Sequence, residues 1–116
     1  MPAITVNVDG SNKPITLSIA EQRGHLIQTI ITIDDAEPVE IDGDVNKHLL
    51  ATNASLSNST IVITTTATKG GGSPATDSVV VFTLNGANEP HVDKSTRDFN
   101  GAPIVTHNIT YDFFLQ

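Results

Sequence analysis

The segment from Asp34 to Asp44 holds six acidic side chains and no basic one, which makes it the part of the chain best suited to binding a cation. The chain has thirteen acids and six bases. Seven acids and six bases therefore lie outside this segment, and the segment accounts for nearly all of the net charge of −7. Carboxylates this close together destabilise a fold unless water screens them or a cation binds among them. The segment is either a solvated turn or a metal site.

Asp42, Asp44 and Asn46 have the alternating oxygen ligands with which many calcium-binding loops begin. The helix-loop-helix type of calcium site needs glycine at the sixth position and glutamate at the twelfth, where this chain has Lys47 and Asn53. We therefore expect calcium, if it binds, in a loop between strands. The remaining ligands would come from Asp34, Asp35 or Glu37. No other cofactor is indicated, and the alternative is an Asp-Gly turn with hydrated carboxylates.

The histidines offer weaker candidates for a metal site. In an extended segment, Glu89, His91 and Asp93 would lie on one side, a set of nitrogen and oxygen ligands acceptable to zinc or manganese. No second histidine follows at a ligand spacing, and Pro90 favours an ordinary polar turn. His107 falls on the apolar face of the last predicted strand, where a hydrogen-bonded core or rim position is expected rather than a catalytic base.

Composition and motifs exclude several classes of function. There is no cysteine, no Gly-x-Ser-x-Gly, no His-Glu-x-x-His and no phosphate-binding glycine loop followed by lysine. The six basic residues are scattered, so the acidic surface should repel both nucleic acid and anionic membranes. The N-terminus lacks the basic start and apolar run of a signal peptide, and we expect a cytoplasmic protein or one exported without a visible leader. We therefore expect a protein that is not an enzyme.

One resemblance to an enzyme family concerns the N-terminus. Met1-Pro2 followed at once by a strand resembles the tautomerase superfamily, which would imply that the amine of Pro2 acts as a general base. In that family a long amphipathic helix follows the first strand. Here Asp9-Gly10 turns the chain back into a second strand, so the resemblance covers about six residues and supplies only a second alternative.

The apolar residues alternate with polar ones in short runs, a pattern typical of half-buried strands. The sequence predicts a β-hairpin from Ile4 to Ile19, strands at His25–Ile33 and Ile61–Thr68, and a central strand at Ser78–Leu84. Short strands are expected around Val39–Ile41 and His48–Thr52, and a long last strand at Ile104–Gln116. We expect one domain over residues 1–116, an all-β antiparallel sandwich of about seven to eight strands, immunoglobulin-like or jelly-roll-like. Expected core residues are Val6, Leu17, Ile31, Val80, Phe82, Ile109 and Tyr111.

Two polar segments have no clear period. Lys69–Pro74 is rich in glycine and is expected to be a mobile hairpin loop. Asn85–Pro103 is expected to be a long loop of the kind that carries function. Its candidate ligand-binding residues are Phe99, the one aromatic residue outside a predicted strand, with Asn85 and Asn88.

These observations favour a non-catalytic binding or assembly module whose polar loops lie on a rigid scaffold. A carbohydrate-binding, lectin-like domain that depends on calcium is the alternative, although the chain has no tryptophan and one tyrosine for stacking against a sugar. A protein partner or self-association is expected. Apolar side chains at Leu26, Ile30, Ile104 and Phe114 fall on otherwise polar strand faces, which favours association through a sheet edge or face.

Overall fold

The computed structural model describes residues 3–116, which form two β-sheets packed as a sandwich. The elements in chain order are β1 (Ile4–Val8), β2 (Pro14–Glu21), β3 (Leu26–Ile33), β4 (Val39–Asp42), β5 (Val45–Thr52), α1 (Asn53–Leu56), β6 (Thr60–Thr68), β7 (Asp77–Asn85), β8 (His91–Asp98) and β9 (Ile104–Leu115). Pro2, the residue behind the tautomerase alternative, lies outside the described residues.

The five-stranded sheet has the order β1-β9-β6-β3-β4, and the four-stranded sheet has the order β5-β2-β7-β8. The prediction of an all-β sandwich is confirmed, with nine strands in the described chain. The prediction of a purely antiparallel fold is wrong, because β1 pairs with β9 in parallel, with Ile4 opposite Tyr111 and Val8 opposite Leu115. A parallel pair needs a long connection between its strands, and here nearly the whole chain lies between them.

The predicted hairpin of the first two strands is wrong as well. Both strands form, but β1 belongs to the five-stranded sheet and β2 to the four-stranded sheet. The intervening turn, in which Gly10 has a φ of 76° and the Ser11 N–H donates to Asp9 Oδ1, therefore crosses from one sheet to the other. The glycine-rich loop Lys69–Pro74 also joins the two sheets, between β6 and β7, and is not a hairpin loop.

The core lies between the two inner faces, as the alternation of the sequence predicts. All seven expected core residues are buried, so this prediction is confirmed. Two threonines also face inward from neighbouring strands. Thr29 and Thr65 lie directly opposite each other, and their hydroxyl oxygens are 2.9 Å apart. Each buried hydroxyl thus has a partner, which removes most of the cost of placing it in an apolar interior.

The prediction of a long loop at Asn85–Pro103 is wrong, because the segment contains β8. This strand pairs with β7 in continuous antiparallel register from Asp77 opposite Asp98 to Leu84 opposite His91. Sequence alternation does not reveal it, because its inward positions are polar: His91, Asp93 and Ser95.

Helix is nearly absent, as expected, since α1 has four residues. The buried side chain of Asn53, the first residue of α1, joins three segments at this end of the sandwich. Its amide nitrogen donates to the carbonyls of Lys13 and Gly86, both at 2.9 Å, and its oxygen accepts from the Asp9 N–H. Gly86 has a φ of 104°, and a Cβ there would lie 2.0 Å from the Pro14 carbonyl oxygen. Within residues 3–116 no helix is long and apolar enough to cross a membrane.

Candidate functional site

The structure places the two halves of the acidic segment at opposite ends of the β3–β4 hairpin. Asp34, Asp35 and Glu37 lie in or near the turn after β3, and all three are exposed. Asp42 lies opposite Gln28, six residues before Asp34 along β3. At the usual rise of a strand this separation is about 20 Å. One ion therefore does not contact both groups.

Three of these carboxylates already accept hydrogen bonds from the protein. Asp34 Oδ1 accepts from the Thr60 N–H at 2.8 Å, and Asp42 Oδ1 accepts from the side-chain amide of Gln28 at 3.1 Å. Asp44 Oδ1 accepts from the Glu21 N–H at 3.3 Å. In the part of the chain that the structure describes, no three His, Cys, Asp or Glu side chains are grouped so that they could hold a metal ion. Calcium binding by Asp42, Asp44 and Asn46 alone stays a prediction.

The side chain of Phe99, expected to be an exposed binding platform, is buried and only 3% exposed. Its ring packs edge-on against the imidazole of His25, with ring centroids 4.8 Å apart. Asn85 and Asn88 are exposed near the β7–β8 turn, and the Asn88 N–H donates to the Asn7 carbonyl. The three residues therefore do not form a stacking site.

The exposed aromatic residue is Phe114 near the end of β9, at 45% exposure. It borders a depression of about 250 Å³ with Asn58, Thr60 and Asp112 among its lining residues. Asp112 Oδ1 accepts from the Thr60 hydroxyl at 2.7 Å, which holds this carboxylate beside the ring. In the sequence, Phe114 falls on an otherwise polar strand face. Its polar neighbours Asn58 and Thr60 are not apparent there, because they come from a distant part of the chain.

A second polar cluster lies between the sheets where β7, β8 and β9 meet. His107 is fully buried, and both of its ring nitrogens face serine hydroxyls: Nε2 is 3.0 Å from Ser78 Oγ, and Nδ1 is 2.8 Å from Ser95 Oγ. Ser78 Oγ in turn donates to Glu21 Oε2 at 2.9 Å. The expectation that His107 is a hydrogen-bonded core residue is confirmed.

The positions of the protons follow from this chain of contacts. Ser78 has one hydroxyl proton, which it donates to Glu21, so it accepts the proton on Nε2 of His107. In a neutral imidazole Nδ1 is then an acceptor, and Ser95 donates to it. Burial lowers the pKa of His107, and the positive charge of Arg97 lowers it further, against a smaller opposing effect of Glu21. Both effects favour the neutral imidazole that this arrangement needs.

Glu21 anchors the cluster at the end of β2. Burial acts to raise its pKa, but hydrogen bonds from the backbone N–H groups of His25, Arg23 and Val79 and from the Ser78 hydroxyl lower it below the ordinary value overall. Oε1 accepts at 2.6 Å and 2.9 Å from Arg23 and His25, and Oε2 accepts at 2.9 Å and 3.2 Å from Ser78 and Val79. The folded protein therefore holds this group as a carboxylate.

A neighbouring pair completes the inner side of β8. The Tyr111 hydroxyl donates to Asp93 Oδ2 at 3.1 Å, and the rings of His91 and Tyr111 lie edge to face with centroids 6.4 Å apart. Burial raises the pKa of Tyr111 well above its ordinary range, and the charge of Asp93 and this hydrogen bond raise it further. Glu89 is exposed in the turn before β8. His91 and Asp93 thus contact Tyr111 rather than form part of a metal group.

The arrangement of Ser95 and His107 includes the hydroxyl–imidazole contact of a nucleophile and its base. A cavity beside it measures about 110 Å³, with Asp93, Ser95 and Asn108 among its lining residues. Both nitrogens of the imidazole are already engaged within the protein. No buried side-chain nitrogen or oxygen in the described chain lacks a hydrogen-bond partner. The cluster therefore satisfies polar groups inside the sandwich and favours a structural role.

Comparisons of the chain with protein-family models, with curated proteins and with solved structures found no match.

The lowered pKa of His107 predicts a loss of stability in mild acid. The ordinary value is 6.5, and the value in the folded protein is lower. As pH falls below about 6.5, the unfolded chain binds a proton that the folded chain does not, so the free energy of unfolding decreases. Above about pH 6.5 His107 is neutral in both the folded and the unfolded chain, so its titration no longer lowers the free energy of unfolding. Urea unfolding between pH 8 and pH 5 measures the effect.

His107→Asn should flatten this dependence, whatever it does to stability at pH 8, because the titrating group is gone. His48→Asn is the matched control, since His48 lies half-buried on β5, away from the cluster. An unchanged pH dependence in His107→Asn would show that other groups cause the acid effect.

The calcium hypothesis predicts a shift in melting temperature. Calcium at 100 times its dissociation constant, bound to the folded state alone, adds about 2.7 kcal/mol to the free energy of unfolding. For a domain of this size the shift is roughly 10 °C. Replacing Asp42 and Asp44 with asparagine should abolish it, whereas replacing Asp34 and Asp35 should not, because they lie at the far end of the hairpin. Identical melting curves in calcium and in chelator would remove the hypothesis.

Proposed function

We propose that this protein is a non-catalytic binding or assembly module that associates by adding a strand at the free edge of β8. The observation that supports the proposal is the edge itself. Among residues 3–116, β8 pairs with β7 on one side and with no strand on the other. It has eight residues, no proline, no glycine and no shift in register. A long, regular and uncovered edge is a template for pairing with another strand.

The other three sheet edges carry features that disfavour such pairing. β4 has four residues and carries Glu40 and Asp42. β5 has register shifts against β2, and Lys47 on β5 has a φ of 48°, so its edge is irregular. β1 has five residues, and the Asn7 carbonyl already accepts from the Asn88 N–H. Short strands, bulges, proline and charged side chains are the usual means by which proteins block their edges. β8 is neither short nor bulged and has no proline, and its four charged side chains are two of each sign.

The interior supports a binding role over a catalytic one. Asp93 and Ser95, which face inward from β8, form hydrogen bonds with Tyr111 and His107. The backbone of β8 is therefore held in place while its outer edge stays open, and a preorganised strand loses little conformational entropy when a partner strand binds. Enzymatic use of Pro2 stays a prediction outside the described residues. Assignment of the sandwich to the immunoglobulin-like or jelly-roll-like type also stays a prediction.

Strand addition predicts that the amides of β8 exchange more slowly when the protein associates. Hydrogen exchange measured at about 5 µM and about 500 µM, which brackets the affinity expected of a small interface, should show new protection in residues 91–98. The edge strand at 39–42 is the internal control and should not change. Association with no added protection in β8 would contradict the proposal.

A second candidate function is carbohydrate binding at Phe114. An aromatic ring beside carboxylate, amide and hydroxyl groups is the usual composition of a sugar site, and Phe114 lies beside Asp112, Asn58 and Thr60. This surface replaces Phe99 as the stacking residue of the lectin-like alternative.

On a glycan array, any glycan bound by the protein should be lost by Phe114→Ala and kept by Phe114→Tyr, because tyrosine retains the ring. Leu115→Ala is the matched control, since Leu115 is the adjacent residue and is 56% exposed. Loss of binding to the same extent in both alanine variants, or no glycan bound by the unchanged protein, would remove the candidate.

A further inference from the structure

The charges along β8 have a symmetric order. Asp93 and Lys94 are followed by two neutral residues and then by Arg97 and Asp98, so the signs read negative, positive, neutral, neutral, positive, negative. An antiparallel pair of identical strands aligns residue i of one copy with residue j of the other, and i + j is constant. The alignment of the two copies therefore decides whether these charges attract or repel.

The geometry of a sheet excludes one of the repulsive alignments. Residues directly opposite each other in an antiparallel ladder have their side chains on the same face, and successive residues alternate between faces. Position 93 therefore pairs with an odd-numbered position and 94 with an even-numbered one. The alignment that sets Asp93 against Asp98 and Lys94 against Arg97 is not available. The two alignments in which i + j differs from this one by 1 are available. One sets Asp93 opposite Arg97, and the other sets Lys94 opposite Asp98.

We propose that the partner at this edge is a second copy of the chain, bound antiparallel through β8 with Ser95 opposite Ser95 of that copy. Asp93 then lies opposite Arg97, and the symmetric pair forms on the other side of the two-fold axis. The dimer rests on the proposed assembly function and specifies its partner and register. The two four-stranded sheets become one continuous sheet of eight strands.

The state of Asp93 and Arg97 in one copy favours this register. Asp93 is half-buried, and its contact with the Tyr111 hydroxyl supplies no positive charge. The ion pair found within residues 3–116 joins Arg23 and Asp77, so neither Asp93 nor Arg97 has one there. The proposed register pairs the exposed Arg97 with the half-buried Asp93, whereas the alternative register pairs Lys94 with Asp98, both exposed, and fully exposed ion pairs contribute little.

The position of the acidic segment permits two copies of net charge −7 to approach. β8 packs across the sandwich from β9, while β4 lies three strands from β9 in the five-stranded sheet. Three strand spacings are about 14 Å, more than the Debye length at physiological salt. Most of the negative charge is thus directed away from the proposed interface.

Two charge-reversal variants distinguish the registers at equal net charge. Arg97→Asp sets two carboxylates against each other at both symmetric positions, so the dissociation constant from sedimentation equilibrium should rise about tenfold or more. Lys94→Asp makes the same change in charge, but Lys94 lies opposite Thr96 in the proposed register, so the effect should be much smaller. Both side chains are exposed, and circular dichroism should show that each variant keeps the fold.

Engineered disulfides test the register directly, because the chain has no native cysteine. Opposite residues in an antiparallel pair have Cα atoms about 4.5–5.5 Å apart, within the range of a disulfide. Ser95→Cys should therefore cross-link rapidly to its own copy under mild oxidation. Thr96→Cys is the control, because in this register two such cysteines are offset by two positions. Glu40→Cys, on the β4 edge, should not cross-link.

Each contrary result has a distinct meaning. Fast cross-linking of Thr96→Cys, with Lys94→Asp as the stronger disruptor, would overturn the register and keep assembly through β8. New protection of β8 at high concentration with no response to either charge reversal would overturn the charge-paired dimer and keep strand addition. Association without protection of β8 would overturn both proposals, whereas a monomer at several hundred micromolar would overturn the dimer and leave strand addition by a different partner.

Discussion

The four hydrogen bonds accepted by the Glu21 carboxylate hold together the polar cluster that links β7, β8 and β9. Two come from the turn that follows β2, and two come from the start of β7. The Ser78 hydroxyl donates its proton to Glu21 and therefore accepts the proton on Nε2 of His107, which lies on the facing sheet. His107 is thereby oriented to accept from Ser95 on β8. One carboxylate thus sets the donor and acceptor roles of a chain that crosses both sheets.

This chain explains how β8 can be polar on both faces and still belong to the sandwich. A strand normally stays in a sheet because one face is apolar and buried. In β8 two of the inward side chains are held by hydrogen bonds instead, Ser95 to His107 and Asp93 to Tyr111. Such contacts fix direction and register more narrowly than apolar packing does. They contribute less net stability, so β8 depends strongly on its ladder with β7.

The sequence reveals the features of this fold that depend on local pattern, and it does not reveal those that depend on contacts between distant segments. Alternation identified eight of the strands, and it identified core residues such as Val6 and Tyr111, because burial of alternate side chains is a local property. Pairing between strands is not local. The turn at Asp9-Gly10 favours a reversal of the chain, but whether the next strand joins the same sheet is decided by β9, about a hundred residues later. β8 was missed because no apolar side chain marks its inner face.

The candidate site was less accessible from sequence for a related reason. The acidic segment is compact along the chain, and proximity in sequence suggested a shared ion. A strand extends its residues, so the hairpin separates Asp34 from Asp42 instead. Phe114 shows the reverse case, since its polar neighbours Asn58 and Thr60 come from the segment before β6 and meet it only through the β6–β9 pairing.

The same charged residue types have opposite consequences at two edges of the molecule. On β4 both charges are negative, so a second copy placed against this edge meets only repulsion, and the strand is too short to offset it. On β8 two charges of each sign are spaced so that the two alignments centred on Ser95 and on Thr96 each bring opposite signs together. Charge protects an edge only when its pattern is not complementary to itself. The net charge of a chain therefore does not decide whether it associates, because the order of signs along each free strand does.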